Sequence, residues 1–376
     1  MPGLYLHIPF CKKACHYCNF HFSTSLKQKE AMVDAICAEL DLQKNYLDGQ
    51  PLTSIYFGGG TPSLLEINEL EKIFFKIQQN FDWQPGAEIT LEANPDDLYA
   101  EKLADLKAHT PVNRLSIGVQ SFFEEDLRWM NRAHDAREAR SAIENALKTG
   151  FENLTIDLIY GSPSTSDDRW EANLDIALAY PVHHLSCYSL TVEEGTALHH
   201  FVKKNKSLPP DEAQSARQFE RLMYRTQAAG FEHYEISNFA KPGFRARHNS
   251  SYWLGEPYLG IGPAAHSFDK KSRQWNVANN AIYIKSLSEN KVPSESESLT
   301  TTMIYNEYIL TRLRTAWGCL LDEIDAIGPQ YKNYFLVNIQ PFLTDKSVEL
   351  MDKKFLLSNK GKLMADSISV ALFYEN

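Results

Sequence analysis

Three cysteines, Cys11, Cys15 and Cys18, fall within eight residues in the spacing C-x3-C-x2-C, directly after a short strand-like run. Intervals of three and two let one tight loop aim three thiolates at a single centre. A tetrahedral zinc ion would need a fourth ligand, which His16 or His21 can supply. An iron–sulfur cluster would take the three thiolates and leave one iron without a protein ligand, open to a chelating substrate. The other three cysteines, Cys37, Cys187 and Cys319, stand in apolar helical or strand-like runs and read as small buried hydrophobes. Six cysteines in 376 residues are too few for a disulfide scaffold.

The elements that must position this loop show a regular alternation. Strand-like runs at 4–8, 54–57, 88–91, 114–119, 154–159 and 184–190 are separated by helical patterns at 27–47, 67–79, 101–108, 137–149 and 168–179. Such alternation predicts parallel strands joined by right-handed crossovers, and six units fit an α/β fold built as a partial (β/α)6 barrel. Polar or glycine residues follow nearly every strand: the cysteine loop, GGGTPS (58–63), Glu92 with Asn94, Gln120, and Asp157 with Tyr160 and Gly161. Barrel enzymes gather their sites at the carboxyl ends of the strands, so these residues are expected at one mouth.

The charge balance, 38 Lys+Arg against 48 Asp+Glu, gives a net charge of −10 and argues against nucleic acid as a partner. Hydrophobic residues at 43% and charged residues at 23% exclude wholesale disorder. No apolar run is long enough for a transmembrane segment, and residues 1–10 lack the features of a secretory signal, so a cytoplasmic location is expected. Polar stretches at 203–212 and 288–298 read as linkers. They divide the chain into a barrel (1–205), an α/β extension (206–298) and a small C-terminal winged-helix-like domain (299–376). Within this C-terminal domain, a pair of helical patterns precedes a strand-like pair, 355–358 and 367–373.

The motifs YLHIPFCKKACHYCNF, YFGGGTPS, EANPDD, RLSIGVQSF, NRAH, TIDLIYGSP and RHNSSYW together resemble the HemN/HemW family of radical S-adenosylmethionine (SAM) proteins, over essentially the whole chain. The resemblance implies a [4Fe–4S] cluster on Cys11, Cys15 and Cys18, with SAM chelating the open iron through its amino and carboxylate groups. One electron from the reduced cluster then cleaves the sulfonium C–S bond and gives a 5′-deoxyadenosyl radical. It further implies that Gly59, Gly60 and Thr61 line SAM, that Glu92 accepts from its amino group, and that Tyr5 lies beside the cluster with Tyr17 near the adenine. Gln120, Arg132 and Asp157 match family positions around SAM or a second molecule of it. Asp157 suits ribose hydroxyls and Arg132 a carboxylate. By residue type alone these positions have plainer readings: a glycine turn, a surface arginine, a satisfied polar group in a barrel.

Within the family, the resemblance points to the heme chaperones rather than to the oxygen-independent coproporphyrinogen III dehydrogenases. Phe20 stands where the dehydrogenases have a further cysteine, Leu4 opens the first strand without their long N-terminal extension, and His248-Asn249-x-x-Tyr252-Trp253 matches the chaperones' HNxxYW motif. That motif implies heme held at His248, with His266 as a second candidate ligand and Lys241, Arg245 and Arg247 facing the propionates. The implied partners are heme, respiratory heme-protein acceptors and an electron donor, with peripheral membrane association. One departure is Asn19, where chaperones of the family commonly carry an aspartate after the last cysteine.

Overall fold

The computed structural model describes residues 2–375. Six strands, β1 (Gly3–Ile8), β2 (Leu52–Gly59), β3 (Trp83–Ala93), β4 (Arg114–Gln120), β5 (Asn153–Tyr160) and β6 (His184–Ser189), pair in parallel and in chain order. The crossovers carry α1 (Lys29–Leu42), α2 (Ile67–Asn80), α3 (Ala100–His109), α4 (Glu124–Trp129) with α5 (Ala136–Lys148), and α6 (Asp167–Ala179). The predicted helix at 27–47 is shorter at both ends, because 43–49 form turns.

Strand register follows from a two-residue period. Leu4, Leu6 and Ile8, Ile55 and Phe57, Ile89 and Leu91, Leu115 and Ile117, Leu154, Ile156 and Leu158, and Leu185 and Cys187 form one buried apolar core. Each fully buried Leu or Ile there is worth about 1.5–3 kcal/mol. The alternate positions are polar: Tyr5 and His7, Ser54 and Tyr56, Glu88, Thr90 and Glu92, Arg114 and Ser116, Thr155 and Asp157, His184 and Ser186. A one-residue slip would exchange the two faces of a strand, so this contrast pins the register. The concave side of the arc is thereby polar before any ligand is considered.

The sheet continues past both ends of the arc to twelve strands. After α7 (Ala197–Lys203) and α8 (Glu212–Ala228) come β7 (Glu232–Glu235) and β8 (Asn238–Ala240); β8 adds antiparallel to β6, and β7 antiparallel to β8. Then α9 (Arg247–Trp253) leads to β9 (Tyr258–Ile261), which pairs in parallel with β1 on the other side. Strands β10 (His266–Phe268), β11 (Ser272–Asn276) and, after α10 (Asn280–Ser288), β12 (Ser294–Ser298) extend that side antiparallel. Among the described residues β12 and β7 are the two free edges, so the barrel is partial and not closed. The segment 288–298, expected as a linker without structure, supplies this edge strand. Its hydrogen bonds to β11 ask nothing of its polar side chains.

The C-terminal residues form a winged-helix-like unit with its own core around Tyr305, Ile309, Phe335, Phe355 and Ile368. It opens with α11 (Thr301–Leu313) and contains a three-stranded antiparallel sheet, β13 (Cys319–Leu320), β14 (Val348–Met351) and β15 (Lys354–Leu357). The hairpin partner of 354–357 is therefore 348–351 and not 367–373. The latter run lies largely in a helix (Ala365–Ala371) whose Ala365, Ile368 and Ser369 are buried. Among the described residues no helix is long and apolar enough to cross a membrane.

Candidate functional site

The cysteine loop follows β1 and is tied down from several sides. The Cys11 N–H donates to the Ser23 carbonyl at 3.0 Å, the His16 N–H to Met130 at 3.1 Å, and Asn131 Nδ2 to Ala14 at 2.8 Å. His7, buried on β1, donates from Nε2 to the His21 carbonyl at 2.8 Å. Burial pulls the His7 pKa down to about 4, so the ring is neutral and its Nδ1 accepts from the Tyr5 hydroxyl at 3.2 Å. Lys12 pairs with both Asp96 and Asp97, and Ser63 donates to Asp97 at 2.6 Å. The motifs CKKAC, TPS and NPDD are thus joined by one carboxylate.

Glycine is required after β2. At Gly59, φ is +104° and a Cβ would meet the His7 ring at 2.6 Å; at Gly60 it would meet the Phe10 carbonyl oxygen at 2.6 Å. The close approach lets Thr61 donate from Oγ1 to the Cys11 sulfur at 3.4 Å.

The run Asn131–Asp135 shows how a short segment aims one side chain. Asn131 takes a left-handed φ of +58° beyond α4, and Asp135 caps α5 by accepting from the Arg137 and Glu138 N–H groups. His134 donates from Nε2 to the Val119 carbonyl at 3.0 Å. Between them Arg132 turns inward. It donates to Asn94 Oδ1 at 2.6 Å, the Gly118 carbonyl at 2.7 Å, the Tyr17 hydroxyl at 3.3 Å and the Cys15 sulfur at 3.4 Å. The plainer reading of Arg132 as a surface charge does not hold.

These elements enclose a cavity of about 410 Å³ at the carboxyl ends of β1–β6. Cys11, Cys15, Cys18, Tyr17, Gly59, Gly60, Thr61, Glu92, Gln120, Arg132 and Asp157 all line it. Its size matches small-molecule sites. Burial is the leading cause that raises Glu92 to a pKa of about 7 and Asp157 to about 6, and the neighbouring Asp157 charge adds to the rise at Glu92. The Tyr56 hydroxyl donates to Glu92 at 2.7 Å and Ser116 donates to Asp157 at 3.2 Å, which partly offsets that rise. Burial likewise lifts the Cys11 thiol to about 11.

The residues present suit an iron–sulfur cluster with a polar nucleotide beside it. Three sulfurs share a wall with two carboxyls, while Gln120 Oε1 and Arg132 Nε are buried without a hydrogen-bond partner. Gln120 also adopts a φ of +65°, backbone strain of the kind found at functional sites. A single zinc ion fits less well. It would need a fourth ligand beside the three sulfurs, and the two imidazoles nearby are already hydrogen-bonded. His16 Nδ1 is bound to the Trp129 carbonyl at 2.8 Å and His21 Nε2 to Asn280 Oδ1 at 2.7 Å.

Two expected site residues lie elsewhere. Tyr5 does not line the cavity; its ring stacks on Tyr56 at 6.1 Å. His248 is buried at the opposite, amino-terminal end of the arc, with Nδ1 2.8 Å from Ser54 Oγ and Nε2 2.7 Å from the Tyr252 hydroxyl. Both ring nitrogens are thus engaged by side-chain hydroxyls in this conformation. The three basic residues nearby are also occupied: Lys241 by the Ala229 carbonyl, Arg245 by Glu232 and Arg247 by the Gly86 carbonyl. His266 is exposed on β10. Asn94, expected at the mouth with Glu92, lines the cavity, whereas Tyr56 and Ser116 are polar groups at the site that motif reading passed over. Tyr56 and Ser116 were visible as inward positions of the two-residue period.

The fold and cavity are those of a radical SAM barrel, and residues 5–177 match the family model of the Radical SAM superfamily. The chain is 34% identical over 371 residues to the heme chaperone HemW of Mycobacterium tuberculosis, covering 97% of this chain and 93% of that protein. It is 32% identical over 382 residues to heme chaperone HemW of Bacillus subtilis, covering 100% of both. The coproporphyrinogen III oxidase HemN of Escherichia coli, a radical SAM enzyme, shares the fold with a TM-score of 0.84 at 23% identity, covering 99% of this chain and 90% of that one. The chain belongs to the HemN/HemW family of radical SAM proteins.

Proposed function

We propose that the protein is a heme chaperone. In this reading Cys11, Cys15 and Cys18 hold a [4Fe–4S] cluster, which when bound supplies an electron to SAM. Glu92 receives the SAM amino group, Arg132 and Gln120 meet its remaining polar groups with the atoms they leave unpaired, and Asp157 takes ribose hydroxyls. Tyr17, Gly59, Gly60 and Thr61 shape the wall. The chain binds heme and passes it to respiratory heme proteins, working in the cytoplasm with an external electron donor. We assign the cluster and SAM to residues 1–205 and the HNxxYW motif to 206–298, with 299–376 as the winged-helix-like domain.

The observation that carries this reading is the convergence of three sulfurs, two protonatable carboxyls and a buried guanidinium on one cavity, in a chain with HemW relatives along its whole length. Anaerobic reconstitution followed by iron, sulfide, SAM and heme titrations tests it. The expected result is a coloured protein with iron and sulfide in equal amounts that binds both SAM and heme. A colourless preparation holding zinc and no iron overturns the cluster. Conversion of coproporphyrinogen III to protoporphyrinogen IX, given SAM and a reductant, moves the assignment to the dehydrogenases. For heme, His266 presents an exposed imidazole, so His266→Ala and His248→Ala belong in the same titration.

A further inference from the structure

His248 is enclosed by residues of three strands and its own helix. A Cβ on Gly3 would come within 3.0 Å of its Nδ1, so the ring has no spare room on the β1 side. Its helix, α9, is docked by the carboxylate of Glu88 on β3, which accepts from the N–H groups of Arg247 and His248 at 3.0 Å each. Ser54 and Tyr252 fix the rotation of the ring at its two nitrogens. One face of the imidazole is then laid against the Tyr56 ring, 5.0 Å between centroids and 22° from parallel. Tyr5 also stacks on Tyr56, 6.1 Å away.

Tyr56 is the step between this packing and the cavity. Its hydroxyl donates to Glu92 Oε1 at 2.7 Å, and Glu92 is a cavity wall. We infer that His248 is a positioning residue of the SAM pocket: its ring backs Tyr56, and Tyr56 in turn holds the Glu92 carboxyl where a SAM amino group is received. The HNxxYW motif would then act on the nucleotide end of the barrel from below, through one aromatic ring, rather than by ligating a metal. This rests on the proposed reading of the cavity as a SAM site.

The physical case is one of orientation. A phenol ring hinged at Cβ can swing its hydroxyl by several ångströms unless its neighbours hold it, and a hydrogen bond to an acceptor such as Glu92 is good only within a narrow distance and angle. Among the described residues, the rings stacked on Tyr56 are those of His248, the nearer at 5.0 Å, and Tyr5, and these two also stack on each other at 6.4 Å, so the three rings form one cluster. Removing the imidazole takes away the nearer of the two rings that hold Tyr56.

The test is a double-mutant cycle on the reconstituted protein, read by equilibrium binding of SAM and, separately, of heme. His248→Ala is expected to weaken SAM binding by about tenfold, the scale of one hydrogen bond to a charged group, with heme affinity unchanged. In a Tyr56→Phe background, which lacks the hydroxyl, the same substitution should change SAM affinity by less than about twofold, because coupled residues are not additive. His248→Phe keeps a flat ring against Tyr56 and should recover most of the loss; it also serves if His248→Ala fails to fold. Equal losses in both backgrounds would overturn the inference, since a merely structural role costs the same in each. Loss of heme binding in His248→Phe with SAM binding intact would also overturn it and return His248 to heme. No SAM binding by the wild-type protein would overturn the reading of the cavity, and the inference with it.

Discussion

Arg132 and Cys15 stand 117 residues apart in the chain, yet the Arg132 Nη1 donates to the Cys15 sulfur at 3.4 Å. Asn94 and Gly118 hold the other end of the guanidinium, so its position does not depend on a ligand. Arg132→Leu should lower SAM affinity 10- to 100-fold, about 1.5–3 kcal/mol for charge-assisted hydrogen bonds. Iron should also be lost faster on anaerobic desalting, because the cysteine loop loses the cation hydrogen-bonded to Cys15. Arg132→Lys should rescue little, having no planar fork. SAM and iron titrations of the Leu variant that match wild type would reject this role.

Glu92 sets a pH dependence of stability in the protein free of cluster and SAM. Its folded pKa is raised from 4.5 to about 7, mainly by burial. An unfolded chain releases this proton near 4.5, so stability is lost as pH rises from about 4.5 to about 7 and stays lost above. At about 1.4 kcal/mol per pKa unit the cost approaches roughly 3.5 kcal/mol. Glu92→Gln keeps an acceptor for Tyr56 and removes the titration. Urea midpoints should show the variant more stable than wild type at about pH 8 and equal to it near pH 4, while its SAM affinity falls. The same sign, over a window from about 3.8 to about 6, is expected for Asp157→Asn.

Gly60 leaves no room for a side chain. A Cβ would stand 2.6 Å from the Phe10 carbonyl oxygen and 2.8 Å from that of Ile8, both backbone atoms that cannot rotate away. Gly60→Ala should destabilise the protein by about 2 kcal/mol or more, in the range of overpacking, and shift the cysteine loop. Thermal melting together with iron content after reconstitution checks both effects. A variant with normal melting and a full complement of iron would show that the loop tolerates displacement.

Glu39, fully buried on α1, is the hub of a second network away from the cavity. Its carboxylate accepts from Tyr283 at 2.5 Å, Asn276 at 2.7 Å and the Gly262 N–H at 2.8 Å. Gly262 lies against the His7 backbone, where its own Cβ would meet the His7 carbonyl oxygen at 2.5 Å. Glu39→Leu would strand three buried donors at about 1–3 kcal/mol each. The urea midpoint should fall sharply, and His7 and the cysteine loop should become easier to exchange by hydrogen–deuterium measurement. A midpoint equal to wild type would mean that the donors find other partners.

Much of the barrel was legible because its signals are local. The six parallel strands fell within a few residues of their predicted positions, since each carries its own two-residue alternation between apolar and polar side chains. Cys37, Cys187 and Cys319 are buried, as their apolar surroundings indicated. The misreadings came where local composition and global pairing disagree. The polar run 294–298 became an edge strand because β11 offered it a ladder, and 367–373 turned mostly helical because that form buries Ile368 and Leu372 against α11 and its neighbours.

The sequence alone determined the chemistry available: three thiols at cluster spacing, glycines after β2, a capped turn carrying Arg132, and carboxyls at strand ends. These depend on residue type and on contacts a few positions apart. Only the tertiary structure decided which groups share a space. It brought Arg132 under Cys15 and set Glu92 and Asp157 in one cavity wall, and it placed His248 beneath Tyr56, with its nitrogens turned to Ser54 and Tyr252 instead of toward a ligand. Burial and orientation are properties of packed faces contributed by distant segments, and a linear pattern does not carry them.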